Sequence, residues 1–210
     1  MNEAIEEYIL SHSDDEGELL AKLNRDANVN LLRPRMLSGH LQGRILKMFC
    51  NMLKPKRVLE IGTYTGYATL CFAEALAADA EIHTIEINDE MEDFILKYID
   101  QSPFKDKIKL HIGDATEIIP ALDLSFDLVF MDADKRLYCQ YYDLIFDQIP
   151  SGGIILADNT LWDGKVLNKP HHTDLQTIGI LDFNHKIKLD DRVEKVILPL
   201  RDGLTMIRKK

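Results

Sequence analysis

The stretch VLEIGTYTGY, residues 58–67, decides the fold of this 210-residue chain. It opens with a short, largely apolar run typical of a buried strand, and its glycine-containing loop leads into a helical pattern over residues 68–78. A strand, a glycine loop and a helix in this order begin a parallel βαβ unit. The stretch therefore predicts an α/β fold with a ligand loop after its first strand.

The same alternation continues toward the C-terminus, where four further apolar runs are separated by helical patterns: EIHTIEI, KIKLHIGD, FDLVFMDAD and GGIILADN. The last two runs, VEKVILPL and LTMIRK, flank the turn residues Arg201, Asp202 and Gly203, which indicates an antiparallel hairpin. We therefore predict a Rossmann-like α/β fold, with a seven-stranded, mostly parallel sheet, a C-terminal antiparallel hairpin and helices on both faces.

The segments outside this alternation are also predicted to have defined roles. Apolar residues at helical spacing indicate cover helices over residues 4–10 and 16–24, with Ser13, Asp14 and Asp15 as a cap between them. A third helix over residues 38–53 should pack on the core and end before Pro55. Residues 162–174 lack periodicity and are interpreted as a loop near the site.

Length and composition narrow the possible classes of protein. A hydrophobic fraction of 46% with 29% charged residues is typical of a globular protein, and the length fits a single domain, with residues 1–35 as cover and 36–210 as core. The net charge of −10 disfavours broad nucleic-acid binding and favours a small-molecule substrate. The three cysteines match neither a disulfide framework nor a zinc pair, and we expect reduced, mostly buried thiols.

The start of the chain, MNEAIEEYILSHSDDEGE, is acidic where a secretory signal would be basic and then apolar. No stretch approaches the roughly 20 apolar residues that a membrane span needs. A cytoplasmic protein without membrane contact is expected.

The loop after the first strand disfavours a nicotinamide cofactor. Gly62 and Gly66 are spaced GxxxG, whereas the dinucleotide fingerprint is GxGxxG. Glu60, inside the same motif, would repel a diphosphate but attract an ammonium or sulfonium cation. The cofactor should therefore carry positive charge.

Acidic residues end the other apolar runs, where ligands bind in an open parallel sheet. Glu86 is placed to accept hydrogen bonds from ribose hydroxyls, and Asp114 to meet an adenine amino group. Each of these acids alone could equally be a helix cap or a solvated strand end. Their common position at the strand ends favours a binding site.

A second set of polar residues ends the fourth and fifth runs. Asp132, Asp158 and Asn159 provide hard oxygen ligands suited to Mg²⁺, with Mn²⁺ or Ca²⁺ as alternatives. Lys135 follows directly in MDADK and can act as a general base. Alone, DAD and DN would be turn and capping residues, and Lys135 a surface lysine. Together they indicate a catalytic metal site, and we count Asp132 and Lys135 as its catalytic residues.

Four segments, EIGTYTGYATL, MDADKRLYCQYYD, DNTLWDGKV and LPLRDGLTMIRKK, together resemble the cation-dependent O-methyltransferases similar to catechol and caffeoyl-coenzyme A O-methyltransferases. The resemblance runs from about Met36 to the C-terminus. It implies a class I methyltransferase fold, S-adenosylmethionine as methyl donor, a phenolic or catechol-type acceptor with neighbouring hydroxyls, and a homodimer.

The resemblance also implies the individual site residues. Metal ligands would be Asp132, Asp158 and Asn159, with Lys135 as base. Tyr138 and Trp162 would wall the acceptor pocket, and Asn184 would lie on the substrate side. Contacts to the donor are expected from Met36, Glu60, Gly62, Tyr64, Tyr67, Glu86, Asp114, Ala115 and Asp132.

Three alternatives remain open. A tRNA hydroxyuridine O-methyltransferase could use the same site, with a basic patch steering RNA from Arg33, Arg35, Lys54, Lys56 and Arg57. The same architecture also serves NAD-dependent oxidoreductases and non-catalytic binding modules. The GxxxG spacing with Glu60 argues against the former, and the complete set of ligands and base argues against the latter.

Overall fold

The computed structural model describes residues 3–210 of the chain, so Met1 and Asn2, the start of the predicted cover segment, lie outside the described residues. The strands are β1 (Arg57–Ile61), β2 (Glu81–Glu86), β3 (Ile108–Ile112), β4 (Leu128–Met131), β5 (Ile154–Ala157), β6 (Val193–Leu198) and β7 (Leu204–Lys209). They form one seven-stranded sheet in the order β3-β2-β1-β4-β5-β7-β6. The first five strands are parallel, and β7 runs antiparallel to both β5 and β6. The predicted sheet and its C-terminal hairpin are confirmed.

The helices are α1 (Glu3–Ser11), α2 (Glu18–Asn30), α3 (Gly39–Leu53), α4 (Tyr67–Ala75), α5 (Glu92–Ile99), α6 (Ala115–Leu122), α7 (Tyr138–Phe146) and α8 (Leu175–Leu189). Because successive side chains of a strand point to opposite faces, Val58 packs with α2–α5 and Leu59 with α6–α8. Both faces of the sheet are therefore covered, as predicted.

One local expectation needed correction, one helix was missed, and one predicted loop has local structure. Helix α2 begins at Glu18 after an N-cap at Gly17 without a side-chain bond, because Asp15 accepts a hydrogen bond from the Gly17 N–H in the preceding turn instead. Helix α8 received no prediction, although Asp174 caps it by accepting from the Thr177 N–H and hydroxyl. The loop predicted over residues 162–174 begins with a kinked 3-10 segment.

The remaining expectations agree with the structure. Helix α3 ends at Leu53 because Lys54 takes a left-handed conformation just before Pro55. Cys50 and Cys71 are buried free thiols and Cys139 is partly buried. Among residues 3–210, no helix combines the length and the apolar character that crossing a membrane requires.

Candidate active site

The polar strand ends singled out from the sequence meet at one edge of the sheet. In the parallel register Ile61 pairs with Met131, and Met131 pairs with Ala157. The residues that follow β1, β4 and β5 therefore lie side by side at the carboxyl edge. The Asp132 N–H donates to Ile61 O at 2.9 Å and the Asp158 N–H donates to Met131 O at 2.9 Å, which fixes these strand ends relative to one another.

A cleft opens where β1 ends, between the loop of residues 62–66 and the segment before α3. Six of the nine predicted donor contacts line it: Met36, Glu60, Gly62, Tyr64, Tyr67 and Asp132. The structure also brings in residues that the sequence did not indicate, namely Leu37, Ser38, Thr63, Thr65, Ala68 and Phe130. Met36 is half-exposed at the rim, whereas Glu60 is fully buried.

Glu60 forms the floor of this cleft. Its Oε2 accepts hydrogen bonds from the hydroxyls of Thr69 and Thr84, while its Oε1 is buried without a partner. Burial raises the pKa of Glu60 to about 8, against the opposing effect of the two threonine bonds, and the nearby charge of Asp132 adds to the rise. An unpaired carboxyl oxygen facing a cleft is suited to a ligand that carries positive charge.

The loop after β1 needs a glycine at position 62. Gly62 has φ +98°, and a Cβ on it would lie 2.2 Å from the carbonyl oxygen of Asp132. No side chain can be accommodated at that distance from a backbone atom. The absence of a side chain therefore lets the first loop and the end of β4 come together beneath the cleft.

The remaining three predicted donor residues lie outside the lining of this cleft. Glu86 accepts the N–H of Tyr64 at 2.7 Å and the N–H of Asn88 at 2.9 Å, so its carboxylate already shapes the loop. Asp114 caps α6 by accepting from the N–H and hydroxyl of Thr116. Ala115 is buried in the core. For Asp114 the capping alternative is realised, and a ligand would have to use its second oxygen.

Asp132 and Lys135 form an ion pair at the end of β4, with 2.8 Å between Oδ1 and Nζ. Lys135 is only 5% exposed, and its Nζ also donates to the Tyr138 hydroxyl at 2.7 Å. The single proton of that hydroxyl is shared between Met131 O at 3.0 Å and Asp158 O at 3.1 Å. The lysine is thus held in one position between two predicted metal ligands.

Asp158 follows β5 and is 3% exposed. Its Oδ2 accepts from Gln42 Nε2 at 2.7 Å and its Oδ1 from the Asn159 N–H at 2.8 Å. Burial raises the pKa of Asp158, and the charge of Asp132 raises it further, while the bond from Gln42 opposes the shift. Two acids in such proximity favour a cation between them.

Whether these residues fit a divalent cation depends on Asn159. Within the described residues, no three His, Cys, Asp or Glu side chains form a metal cluster. The amide oxygen of Asn159 would have to complete the set with Asp132 and Asp158, and no hydrogen bond engages this side chain in residues 3–210. Asn159 has φ +59°, a conformation that asparagine tolerates better than most residues. Two carboxylates and one amide oxygen fit a hard cation that keeps other positions open.

Three residues expected on the acceptor side have different surroundings. Tyr138 is fully buried beneath Lys135 and accepts a hydrogen bond from its Nζ, so it supports the lysine, and its role as a wall of the acceptor pocket stays a prediction. Asn184 donates to Thr160 O at 2.8 Å and so holds the segment after Asn159. Trp162 is half-buried, with an indole N–H that has no partner. The acceptor-side roles of all three residues stay predictions.

The basic patch considered for RNA is not assembled as one surface. Arg33 and Arg35 precede α3, whereas Lys54, Lys56 and Arg57 follow it. A helix of 15 residues separates the two groups by roughly 22 Å along its axis. Arg57 begins β1, at the edge of the sheet opposite the site.

Several residues that build the site were missed in the sequence. Thr69 and Thr84 hold Glu60, Gln42 holds Asp158, and Gln176 on α8 accepts the Lys135 N–H at 3.1 Å. They come from four separate elements, and although Thr69 lies within EIGTYTGYATL, no spacing in the sequence indicates what any of the four contacts. A polar residue on the apolar face of a predicted helix, as Gln42 is on α3, was the one available signal.

Comparison with known proteins agrees with the resemblance to O-methyltransferases that the sequence motifs indicated. A probable caffeoyl-CoA O-methyltransferase 2 of Dictyostelium discoideum is 32% identical over 213 residues, covering 99% of this chain and 92% of the relative. Caffeoyl-CoA O-methyltransferase 1 of Eucalyptus globulus is 34% identical over 178 residues, covering 80% and 72%.

Solved structures agree in fold. The O-methyltransferase TomG from Streptomyces achromogenes, in complex with SAM, superimposes with a TM-score of 0.91 at 25% identity, covering 99% of this chain and 96% of TomG. The SAH-bound methyltransferase PaMTH1 of Podospora anserina gives 0.89 at 29% identity, covering 100% and 97%. The expected Rossmann-like class I methyltransferase fold is confirmed. The O-methyltransferase family model matches residues 10–210, and the chain therefore belongs to the O-methyltransferase family.

Proposed function

We propose that this chain is an S-adenosylmethionine-dependent, divalent-metal-dependent O-methyltransferase that acts on one of two neighbouring hydroxyls of a phenolic, catechol-type small molecule. One observation carries the proposal. A cleft with a buried acid at its floor adjoins two carboxylates and an amide that share an edge with a buried lysine. Methyl transfer to oxygen needs a positively charged donor, an aligned acceptor and a group that removes a proton.

The donor proposal rests on the cleft and on the relatives. TomG was solved with SAM and PaMTH1 with SAH, and both cover nearly the whole of this chain. The unpartnered Oε1 of Glu60 would supply negative charge to the sulfonium or the ammonium of the donor once donor binding displaces the proton that burial favours. Asp114 would contact the adenosine through its second oxygen, which accepts no internal bond, and Glu86 through the remaining lone pairs of oxygens that each already accept one backbone N–H.

The metal proposal assigns Asp132, Asp158 and Asn159 as ligands of Mg²⁺, with Mn²⁺ or Ca²⁺ as alternatives. A bound divalent cation supplies positive charge that favours the ionised form of an acceptor hydroxyl. With a cation bound at Asp132 in place of the ion pair, Lys135 would act as the neutral amine, and its Nζ, which lies 2.7 Å from the Tyr138 hydroxyl, would receive the proton of the acceptor hydroxyl. The buried surroundings of Lys135 exclude water from this transfer.

The proposed acceptor class follows the relatives, which are named as caffeoyl-CoA O-methyltransferases. A tRNA acceptor is less well supported, because the chain carries a net charge of −10 and its candidate basic residues are split by α3. We also infer a single domain, since Tyr67 and Tyr98 of the core donate to Glu16 and Asp26 of the cover segment. A homodimer remains a prediction for sedimentation analysis.

One incubation tests the proposal. The enzyme, labelled donor and Mg²⁺ are mixed with a catechol panel, a caffeoyl thioester or tRNA, in parallel with samples stripped of metal by EDTA. Label is expected in a catechol or the thioester, and it should disappear with EDTA and return with added Mg²⁺. Transfer that survives EDTA would overturn the metal assignment, and label confined to tRNA would overturn the acceptor class.

A further inference from the structure

The turn between β6 and β7, residues 200–203, carries a residue that the proposed chemistry does not use. Arg201 has φ +48°, a left-handed conformation that is unfavourable for a residue with a long side chain. The Gly203 N–H donates to Leu200 O at 2.8 Å and closes the turn. The contacts of its side chain show what this ordered turn holds in place.

The guanidinium of Arg201 reaches across to the segment before α3. Its Nη1 donates to Leu37 O at 3.1 Å, to Ser38 O, and to Gln42 Oε1 at 2.9 Å. Leu37 and Ser38 line the donor cleft. One exposed arginine of the C-terminal hairpin therefore fixes part of the cleft wall near the start of the chain.

Gln42 connects Arg201 to the metal-site acid. It is 1% exposed, its Oε1 accepts from Arg201, and its Nε2 donates to Asp158 Oδ2 at 2.7 Å. An amide has an acceptor at one end and a donor at the other, whereas a guanidinium can only donate. Arg201 thus turns the amide oxygen toward itself and the N–H toward Asp158. The reversed amide would bring its oxygen against the carboxylate.

The same turn holds the strand end on the other side of Asp158. Asp202 O accepts the Leu161 N–H at 2.9 Å, and Gly203 O accepts the Thr160 N–H at 3.0 Å. The backbone that follows Asn159 is therefore tied to the turn that carries Arg201. These contacts place the turn between the donor cleft, the acid and the segment leading to Trp162.

We propose that Arg201 is a positioning residue that orients Asp158 through Gln42 and fixes the Leu37 and Ser38 wall of the donor cleft. Its effect on Asp158 rests on the proposed function, since it concerns that acid as a metal ligand. Its effect on the cleft does not depend on a metal. We therefore expect Gln42 to affect the binding of the metal ion alone, and Arg201 to affect the binding of both the metal ion and the methyl donor.

The test measures Mn²⁺ affinity and donor affinity separately by calorimetry, each in the absence of the other ligand. Gln42→Met should weaken Mn²⁺ binding by about 10-fold or more, as losses of such outer contacts do, and leave donor binding within about twofold. Arg201→Met should weaken Mn²⁺ binding and also weaken donor binding by roughly fivefold, the equivalent of one lost hydrogen bond.

A double variant decides whether Arg201 acts through Gln42. If it does, the Mn²⁺ affinity of the double variant should equal that of Gln42→Met alone, whereas independent effects would add. Arg208→Met is the matched control, because Arg208 lies on β7 and pairs with Glu194 at 3.0 Å on an exposed surface. It removes an arginine from the same hairpin and should change neither affinity.

Unchanged Mn²⁺ affinity in Arg201→Met, or unchanged donor affinity in the same variant, would overturn the inference while the wild type still binds metal. A wild-type chain that binds no Mn²⁺ would overturn the proposed metal dependence instead. The donor affinity of Arg201→Met would then decide whether Arg201 fixes the wall of the donor cleft. Thermal melts show that each variant is folded. Arg201 is exposed, so Arg201→Met suffices if Gln42→Met does not fold.

Discussion

Replacing Glu60, the buried acid at the floor of the donor cleft, should change the free energy of unfolding by an amount that depends on pH. Glu60 is fully buried with a pKa of about 8, against 4.5 for an ordinary glutamate. A folded-state pKa above the unfolded one means that the native protein holds the proton more tightly. This contribution to stability is complete below pH 4.5, declines as the pH rises, and is lost above about pH 8.

The size of this loss of stability follows from the difference between the folded and unfolded pKa values of Glu60. Each pH unit between the two pKa values changes the free energy of unfolding by about 1.4 kcal/mol. The loss is therefore on the order of 3 kcal/mol at pH 7 and of 5 kcal/mol at pH 9. Glu60→Gln keeps the shape of the side chain but cannot ionise. Its free energy of unfolding, relative to wild type, should therefore increase by these amounts from pH 4.5 upward.

Urea unfolding of donor-free protein at pH 5 to 9 and constant ionic strength measures this difference. Glu60→Asp is the matched control, because it keeps a buried carboxyl and should retain the pH dependence of the wild type. A difference between Glu60→Gln and wild type that stays constant from pH 5 to 9 would refute the reasoning, since Glu60 would then be ionised in the empty cleft.

The same variant links Glu60 to the donor. A cationic donor favours the ionised carboxylate, so wild-type binding near pH 7 should release up to about one proton. Calorimetry in buffers of different ionisation enthalpy measures this release, which should be absent from Glu60→Gln. Equal proton release by the two proteins would show that another group titrates.

Three further outcomes are expected at the site. Lys135→Met should keep donor affinity while methyl transfer falls about 10²- to 10⁴-fold, as measured with labelled donor; an unaltered rate would exclude Lys135 as the base. Asp158→Asn should weaken Mn²⁺ binding in calorimetry, and unaltered affinity would remove Asp158 from the ligand set. Gly62→Ala should lower the free energy of unfolding by a few kcal/mol more than Gly164→Ala. Both glycines have positive φ, but only the Cβ added at Gly62 would meet the carbonyl oxygen of Asp132, at 2.2 Å. Equal losses from the two alanine substitutions would contradict that account.

The mostly parallel seven-stranded sheet and the edge of the sheet that carries the site were predictable from the sequence, whereas the order of the strands came only from the structure. Apolar runs that alternate with helical patterns specify a parallel sheet, and the residues that end those runs must share one edge. Glu60, Asp132 and Asp158 were located in this way, since their position depends only on where each strand stops. The hairpin followed from turn residues that lie next to one another in the chain.

The partners of the side chains at the site depend instead on contacts between segments that are distant in the chain. Only the tertiary structure decided these partners. Gln42 and Asp158 are 116 positions apart, and Arg201 and Gln42 are 159 positions apart, so no local pattern links them. Tyr138 was expected at a pocket wall from the family resemblance, and only the structure shows that it is fully buried and packs against Phe183 of α8. Local spacing determines which backbone groups pair, whereas burial and distant partners determine how each side chain at the site is oriented and charged.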